Sequence, residues 1–368
     1  MAVGRRSIGP AVESAEFGDQ VLNPADCSCT VALNDWFPLL MKLPRFPALL
    51  AAMLTVALHA AAPKDFSPAI IFDFGGKFDR SFNQSAAEGA AKFTKDTGVA
   101  VREFEITNAA QREQAMQQMA RRGASIIIAI GFTQASAVER VAKQYPDVKF
   151  TLVDGVVDLP NVQSINFREQ ESSFLCGMAA ALVSKTGKVG FVGGMDIPLI
   201  RKFALGYVEG VRYVNPQAEV FQNMTGTTPA AWGDPTKGGE LAKSQFGRGA
   251  DVIFHAAGAT GLGVMQAAKD AGRFSIGCDS NQNYLHPGSV LSSAVKRVDV
   301  AVYKAFSEAK AGTWKAGQEF LGLREDGVDF ALDEHNRALI TPEMEAKLKQ
   351  ARADIVSGKL KVTEYRPE

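Results

Sequence analysis

Residues 69–98 read AIIFDFGGKFDRSFNQSAAEGAAKFTKDTG, and this stretch decides the fold. AIIF is a short, unbroken apolar run of the kind found in strands buried on both faces. It ends on an acid, Asp73. Gly75 and Gly76 then allow backbone conformations closed to other residues. From Ser81 the pattern becomes helical, with Ser81 as the expected N-cap and Gly98 at the far end. Strand, polar loop and helix together form the repeating unit of a parallel α/β sheet.

The unit recurs along the chain. SIIIAIGF ends at Gly131 and Phe132, and FTLVD at Asp154. KVGFVGGM ends at Gly194 and Met195, VIFHAAG at Gly258 and SIGCD at Asp279. The period restarts near Phe167–Glu169. Two doubly wound α/β lobes with a hinged cleft are therefore expected: 66–168 plus 297–316, and 169–296 plus 317–368. FLGLREDGVDFAL (320–332) reads as a strand or hairpin, and 341–358 as an amphipathic helix. In such sheets ligands bind beyond the carboxyl ends of the strands, so the residues placed there should line a pocket.

Composition narrows the function. Forty basic and forty acidic residues cancel, which gives no basic excess for nucleic acid. Neither C-x-x-C nor H-E-x-x-H occurs, and the four histidines are scattered, so no metal site is expected. Cys176 and Cys278 read as small core residues. MKLPRFPALLAAMLTVALHAAA (41–62) has the basic start, apolar middle and small-residue end of a secretory signal peptide, cleaved near Ala60–Ala62. Residues 1–40 read as a non-native extension, with translation starting at Met41. No cysteine directly follows the apolar segment, so a soluble exported product without a lipid anchor is expected.

Several side chains point to chemistry. Asp73 ends a buried strand, where a carboxylate needs partners. Asp79, Ser81 and Asn83 sit where a helix begins, and Phe82 lies among them; helix capping by Asp79 is the favoured reading there. GATGLG (258–263) with Asp279 mimics a dinucleotide fingerprint, but the glycine order is G-x-x-G-x-G. The simpler reading has amides near Gly258 meeting a polar ligand while Asp279 accepts from a vicinal diol. Lys296, at the end of SSAVK, is placed to donate to the same hydroxyls, with a solvated surface lysine as the equal alternative. Phe132, Phe203 and Trp232 are aromatic residues near loops, and each alone is more often core than site. No nucleophile elbow, catalytic triad or P-loop stands out, so no enzyme and no cofactor are expected. The rivals are a nicotinamide-dependent oxidoreductase built on GATGLG and a sensory ligand-binding module.

FDRSFNQSAAEG, LVDG, NFREQESSFLCGMAAAL, KVGFVGGMDIPLIRKFALGYVEGV, HAAGATGLG and GCDSNQ together resemble the basic membrane protein family of ABC-transporter substrate-binding proteins. The resemblance spans about 66–365. It implies a type I periplasmic-binding-protein fold, a purine nucleoside as ligand, an inner-membrane ABC permease as partner and a monomeric receptor in the periplasm. By the same resemblance Asp73 and Asn83 hydrogen-bond the base, and Phe82 and Phe203 sandwich it. Asp154 is a cleft carboxylate, and Gly258, Asp279 and Lys296 hold the ribose. Lys77-Phe78 and Trp232 depart from the family pattern. A bulky Trp232 at the cleft would shrink the pocket and favour a free purine base over a nucleoside.

Overall fold

The computed structural model describes residues 65–366; the signal-peptide segment 41–62 and the upstream 1–40 lie outside them. The first lobe begins with β1 (Pro68–Phe72), α1 (Phe82–Thr97), β2 (Arg102–Glu105), α2 (Gln111–Arg121), β3 (Ile126–Ile130), α3 (Ala135–Gln144), β4 (Lys149–Val153) and β5 (Val162–Phe167). The chain then crosses to α4 (Glu169–Val183), β6 (Lys188–Met195), α5 (Pro198–Val214), β7 (Glu219–Gly226), α6 (Pro235–Gly247), β8 (Val252–Ala256), α7 (Gly261–Asp270), β9 (Phe274–Asp279) and β10 (Val290–Lys296). It returns through α8 (Val298–Ala311) and β11 (Gly317–Leu321), then ends with β12 (Val328–Phe330) and α9 (Pro342–Ser357).

Two six-stranded sheets result, ordered β11-β5-β4-β3-β1-β2 and β12-β10-β9-β8-β6-β7. Every pairing is parallel except β10 with β12. The central strands β1 and β3 are buried at every residue, as their continuous apolar runs require. The edge strand β2 alternates half-buried and exposed residues.

Two details depart from the sequence reading. The segment 320–332 is not a hairpin. Its two halves join different sheets, β11 beside β5 and β12 beside β10. So 317–321 belongs with the first lobe, although the sequence reading grouped 317–368 with the second. At the N-terminus of α1, of the two capping residues read from sequence, Asp79 and Ser81, only Asp79 caps. The Ser81 side chain makes no cap bond. Asp79 does this work, accepting from the backbone N–H groups of Ser81, Asn83 and Gln84 at 2.8–3.0 Å.

α8 closes the first lobe by packing on α1. The two helices touch because Gly89 carries no side chain; a Cβ there would collide with the Asp299 carbonyl. Phe93 and Phe306 meet across this seam with ring centroids 5.3 Å apart.

Candidate functional site

The carboxyl ends of both sheets face one cleft, holding about 620 Å³ of empty space with its mouth included. All ten residues singled out from sequence border it: Asp73, Phe82, Asn83, Phe132, Asp154, Phe203, Trp232, Gly258, Asp279 and Lys296. Phe74, Leu199 and Ile200 add apolar surface.

The first lobe supplies a polar wall from the loop after β1. Thr133 Oγ1 donates to the Asp73 carboxylate at 2.7–2.8 Å, and Arg112 Nη2 stands 3.7 Å from it. Burial raises the Asp73 pKa, against the pull of Thr133 and Arg112. Asn83 has little to spare for a ligand. Its Nδ2 donates to the Phe74 carbonyl and to Asp79, and its Oδ1 accepts from the Asp73 N–H. Its amide thus braces Asp73, and only the second lone pair of Oδ1 is uncommitted.

At the centre lies a buried charge cluster. Lys296 is 2% exposed, so its ammonium is not the surface lysine that the sequence equally allowed. Its Nζ lies 2.5 Å from Asp154 Oδ2, across the cleft, and 3.1 Å from Glu169 Oε1. The rings of Phe167, Phe82 and Phe203 surround it at 5.0, 5.1 and 5.8 Å. Burial alone would lower the Lys296 pKa, but Asp154, Glu169 and Asp279 hold it well above the usual lysine value. Burial raises Asp154 and Asp279, with Lys296 opposing the shift in both. Asp279 accepts from Ser81 Oγ at 2.6 Å, a bond from one lobe to the other. Ser280 Oγ and Gln282 Nε2 donate back to the carbonyls of Ser81 and Arg80, each at 2.8 Å.

The Asp154 and Asp279 backbones are left-handed, with φ of 65° and 63°. Such conformations are costly outside glycine and cluster at binding sites. Asp154 Oδ1 is buried without a hydrogen-bond partner among the described residues. An orphaned acceptor of this kind is costly to keep, so the cleft favours ligands that bring hydroxyl or N–H donors. Trp232 ends a short 3-10 turn, Pro229–Trp232, in the second lobe. Its indole fills the space over Gly194, where any Cβ would overlap the ring.

The sequence reading missed Glu169, Thr133, Arg112 and Phe167. Glu169 and Phe167 lie in the lobe crossing, directly after and at a strand end, so position alone pointed to them. Thr133 and Arg112 act through Asp73 and carry no such mark.

A family profile described as an ABC transporter substrate-binding protein, PnrA-like, matches residues 67–364. The chain belongs to this family. Among curated members, the CD4+ T-cell-stimulating antigen of Listeria monocytogenes is 36% identical, over 82% of this chain and 89% of that one. The ABC transporter nucleoside-binding protein BmpA of Lactococcus lactis is 33% identical, over 81% and 89%. The crystal structure of an ABC transporter solute-binding protein from Aeropyrum pernix superimposes with a TM-score of 0.75 at 30% identity, covering 82% of this chain and 94% of that one. This family member thus has the type I periplasmic-binding-protein fold, and no described helix is long and apolar enough to cross a membrane.

Proposed function

We propose that this substrate-binding protein captures a purine nucleoside in the interlobe cleft and presents it, as a monomeric periplasmic receptor freed of its signal peptide, to an inner-membrane ABC permease. One observation carries the reading: Phe82, Phe203 and Phe132 border the same cleft as Asp279 and Lys296. Aromatic faces suit a planar base, each pair adding about 0.5–1.5 kcal/mol beyond area burial. A carboxylate beside an ammonium suits a vicinal diol, with Asp279 accepting from both hydroxyls and Lys296 donating. Asp73, held by Thr133 and Arg112, offers an acceptor to the edge of the base. The Lactococcus relative, named as nucleoside-binding, agrees with this assignment. Hinge closure would bring the second lobe's contacts onto a ligand already held by the first. No catalytic residue enters the scheme.

A second reading, a free purine base, is favoured by the Trp232 indole in the cleft wall. Calorimetric titration of protein refolded from denaturant separates the two. Adenosine, guanosine and inosine are expected to bind tightly, and adenine, guanine and ribose weakly. Tight binding of bases alone would select the second reading. Binding of none would reject both.

A further inference from the structure

Glu169 opens α4 directly after the chain leaves β5 for the second lobe. It is fully buried yet does not border the cleft. Its Oε1 lies 3.1 Å from Lys296 Nζ, and its Oε2 lies 3.3 Å from Lys202 Nζ. Lys202 immediately precedes Phe203 on α5 and also donates to the Phe167 carbonyl at 3.5 Å. Lys296 continues to Asp154 at 2.5 Å. Four side chains of alternating charge therefore run from the helix that carries Phe203, through the lobe crossing, to the opposite lobe.

A lysine ammonium is a point charge on a flexible four-carbon stem. It has three hydrogens to donate. One goes to Asp154, while Glu169 Oε1, 3.1 Å away, attracts the ammonium by charge without accepting a hydrogen bond, so hydrogens remain for the cleft that Lys296 borders. With Asp154 as its only partner, the ammonium would be free to swing toward the first lobe.

We propose that Glu169 is a positioning residue: without touching the ligand, its charge holds the Lys296 ammonium in place so that a free ammonium hydrogen faces the ligand's hydroxyls. This deepens the nucleoside reading and rests on it for the identity of those hydroxyls. Removing the Glu169 charge should then weaken the sugar contact and spare the base contact.

The test is Glu169→Gln, titrated with inosine and hypoxanthine, together with a lysine-selective ¹⁵N ammonium spectrum of the full protein. Inosine affinity is expected to fall about tenfold, the scale of one hydrogen bond to a charged group, with hypoxanthine essentially unchanged. The Lys296 ammonium signal should shift or broaden, and its titration should move down in pH. Equal losses for both ligands, no loss for inosine, or an unmoved Lys296 signal would each overturn the proposal. Should the wild-type protein bind neither compound, the nucleoside reading fails by itself. The spectrum then decides the positioning role: a Lys296 signal displaced in Glu169→Gln and restored in Glu169→Asp supports it, and an unmoved one overturns it. If Glu169→Gln does not fold, Lys202→Met keeps the Glu169–Lys296 contact and frees Glu169 on its other side. The same inosine-selective loss, at smaller size, is expected there, and an equal loss for both ligands would overturn the idea.

Discussion

The two lobes share one wiring and differ in what they place at the strand ends. β1 to β5 of the first sheet run in the same order as β6 to β10 of the second. Asp154 follows the fourth strand of one lobe and Asp279 ends the fourth of the other, both with left-handed backbones. The fifth strands end in Phe167 and Lys296, which touch each other at 5.0 Å. So the carboxylates come as a near-symmetric pair, and the symmetry is broken by a phenylalanine on one side and a lysine on the other. A single residue type at one strand end thus sets a cation among the carboxylates of both lobes.

Replacing Lys296 with Met tests this directly, since both fifth strands then end in apolar residues. It leaves Asp154, Glu169 and Asp279 close together without their shared cation. Removing one partner of a buried ion pair costs about 3–5 kcal/mol of folding stability, and losing the charged donor to the ligand costs about 1.5–3 kcal/mol of binding, so nucleoside affinity measured calorimetrically should fall roughly ten- to a hundredfold. Affinity preserved within a few-fold would rule out the ribose role.

Phe203→Ala sharpens the comparison of the aromatic contributions. Phe203 is a core residue of the second lobe, whereas Phe82 in the first is only half-buried. Urea unfolding should show a loss of about 3–5 kcal/mol for Phe203→Ala and a smaller one for Phe82→Ala. Both should weaken base and nucleoside alike. A loss confined to nucleoside would move these rings from the base to the sugar.

Asp279→Ala is expected to cost ribose recognition about tenfold while leaving adenine binding nearly intact. Equal weakening of adenine and adenosine in the same titration would cancel that assignment.

The acid loop of the first lobe has its own signature. Burial lifts Asp79 from 3.8 to about 6, against the three backbone N–H groups that it caps. A folded pKa above the unfolded one gives a contribution that is full below about 3.8 and fades as pH rises through about 6. The melting temperature of wild type relative to Asp79→Asn should therefore rise as pH drops from 8 to 4. A constant difference would mean that Asp79 stays ionised throughout. The smallest effect is expected from Ser81→Ala, which removes the lobe-to-lobe bond to Asp279 and should cost about 1 kcal/mol in denaturant unfolding.

The strand ends were legible because a buried parallel strand is an apolar run, and the residue that ends it is conspicuous. Asp73, Asp154 and Asp279 were found on that ground alone. Burial of a long polar side chain was not legible: SSAVK fits a surface lysine as well as the enclosed one. The partners of β11 and β12 were hidden too, because a short strand carries no mark of the sheet that it will join. That Ser81 leaves the capping to Asp79 was hidden for a similar reason. Either can cap a helix, and only the approach of the second lobe gives the Ser81 hydroxyl a better acceptor. The charge partners of Glu169 were not legible, since its two lysines, Lys202 and Lys296, are distant in sequence.

The return of α8 and β11 to the first lobe also governs how the protein can be made. A nascent chain ending at residue 296 already contains β1 to β5, yet lacks the helix that covers Phe93 and the strand that flanks β5. Domains ordinarily fold in the order in which they are synthesised. Here the lobe made first must wait for the lobe made second.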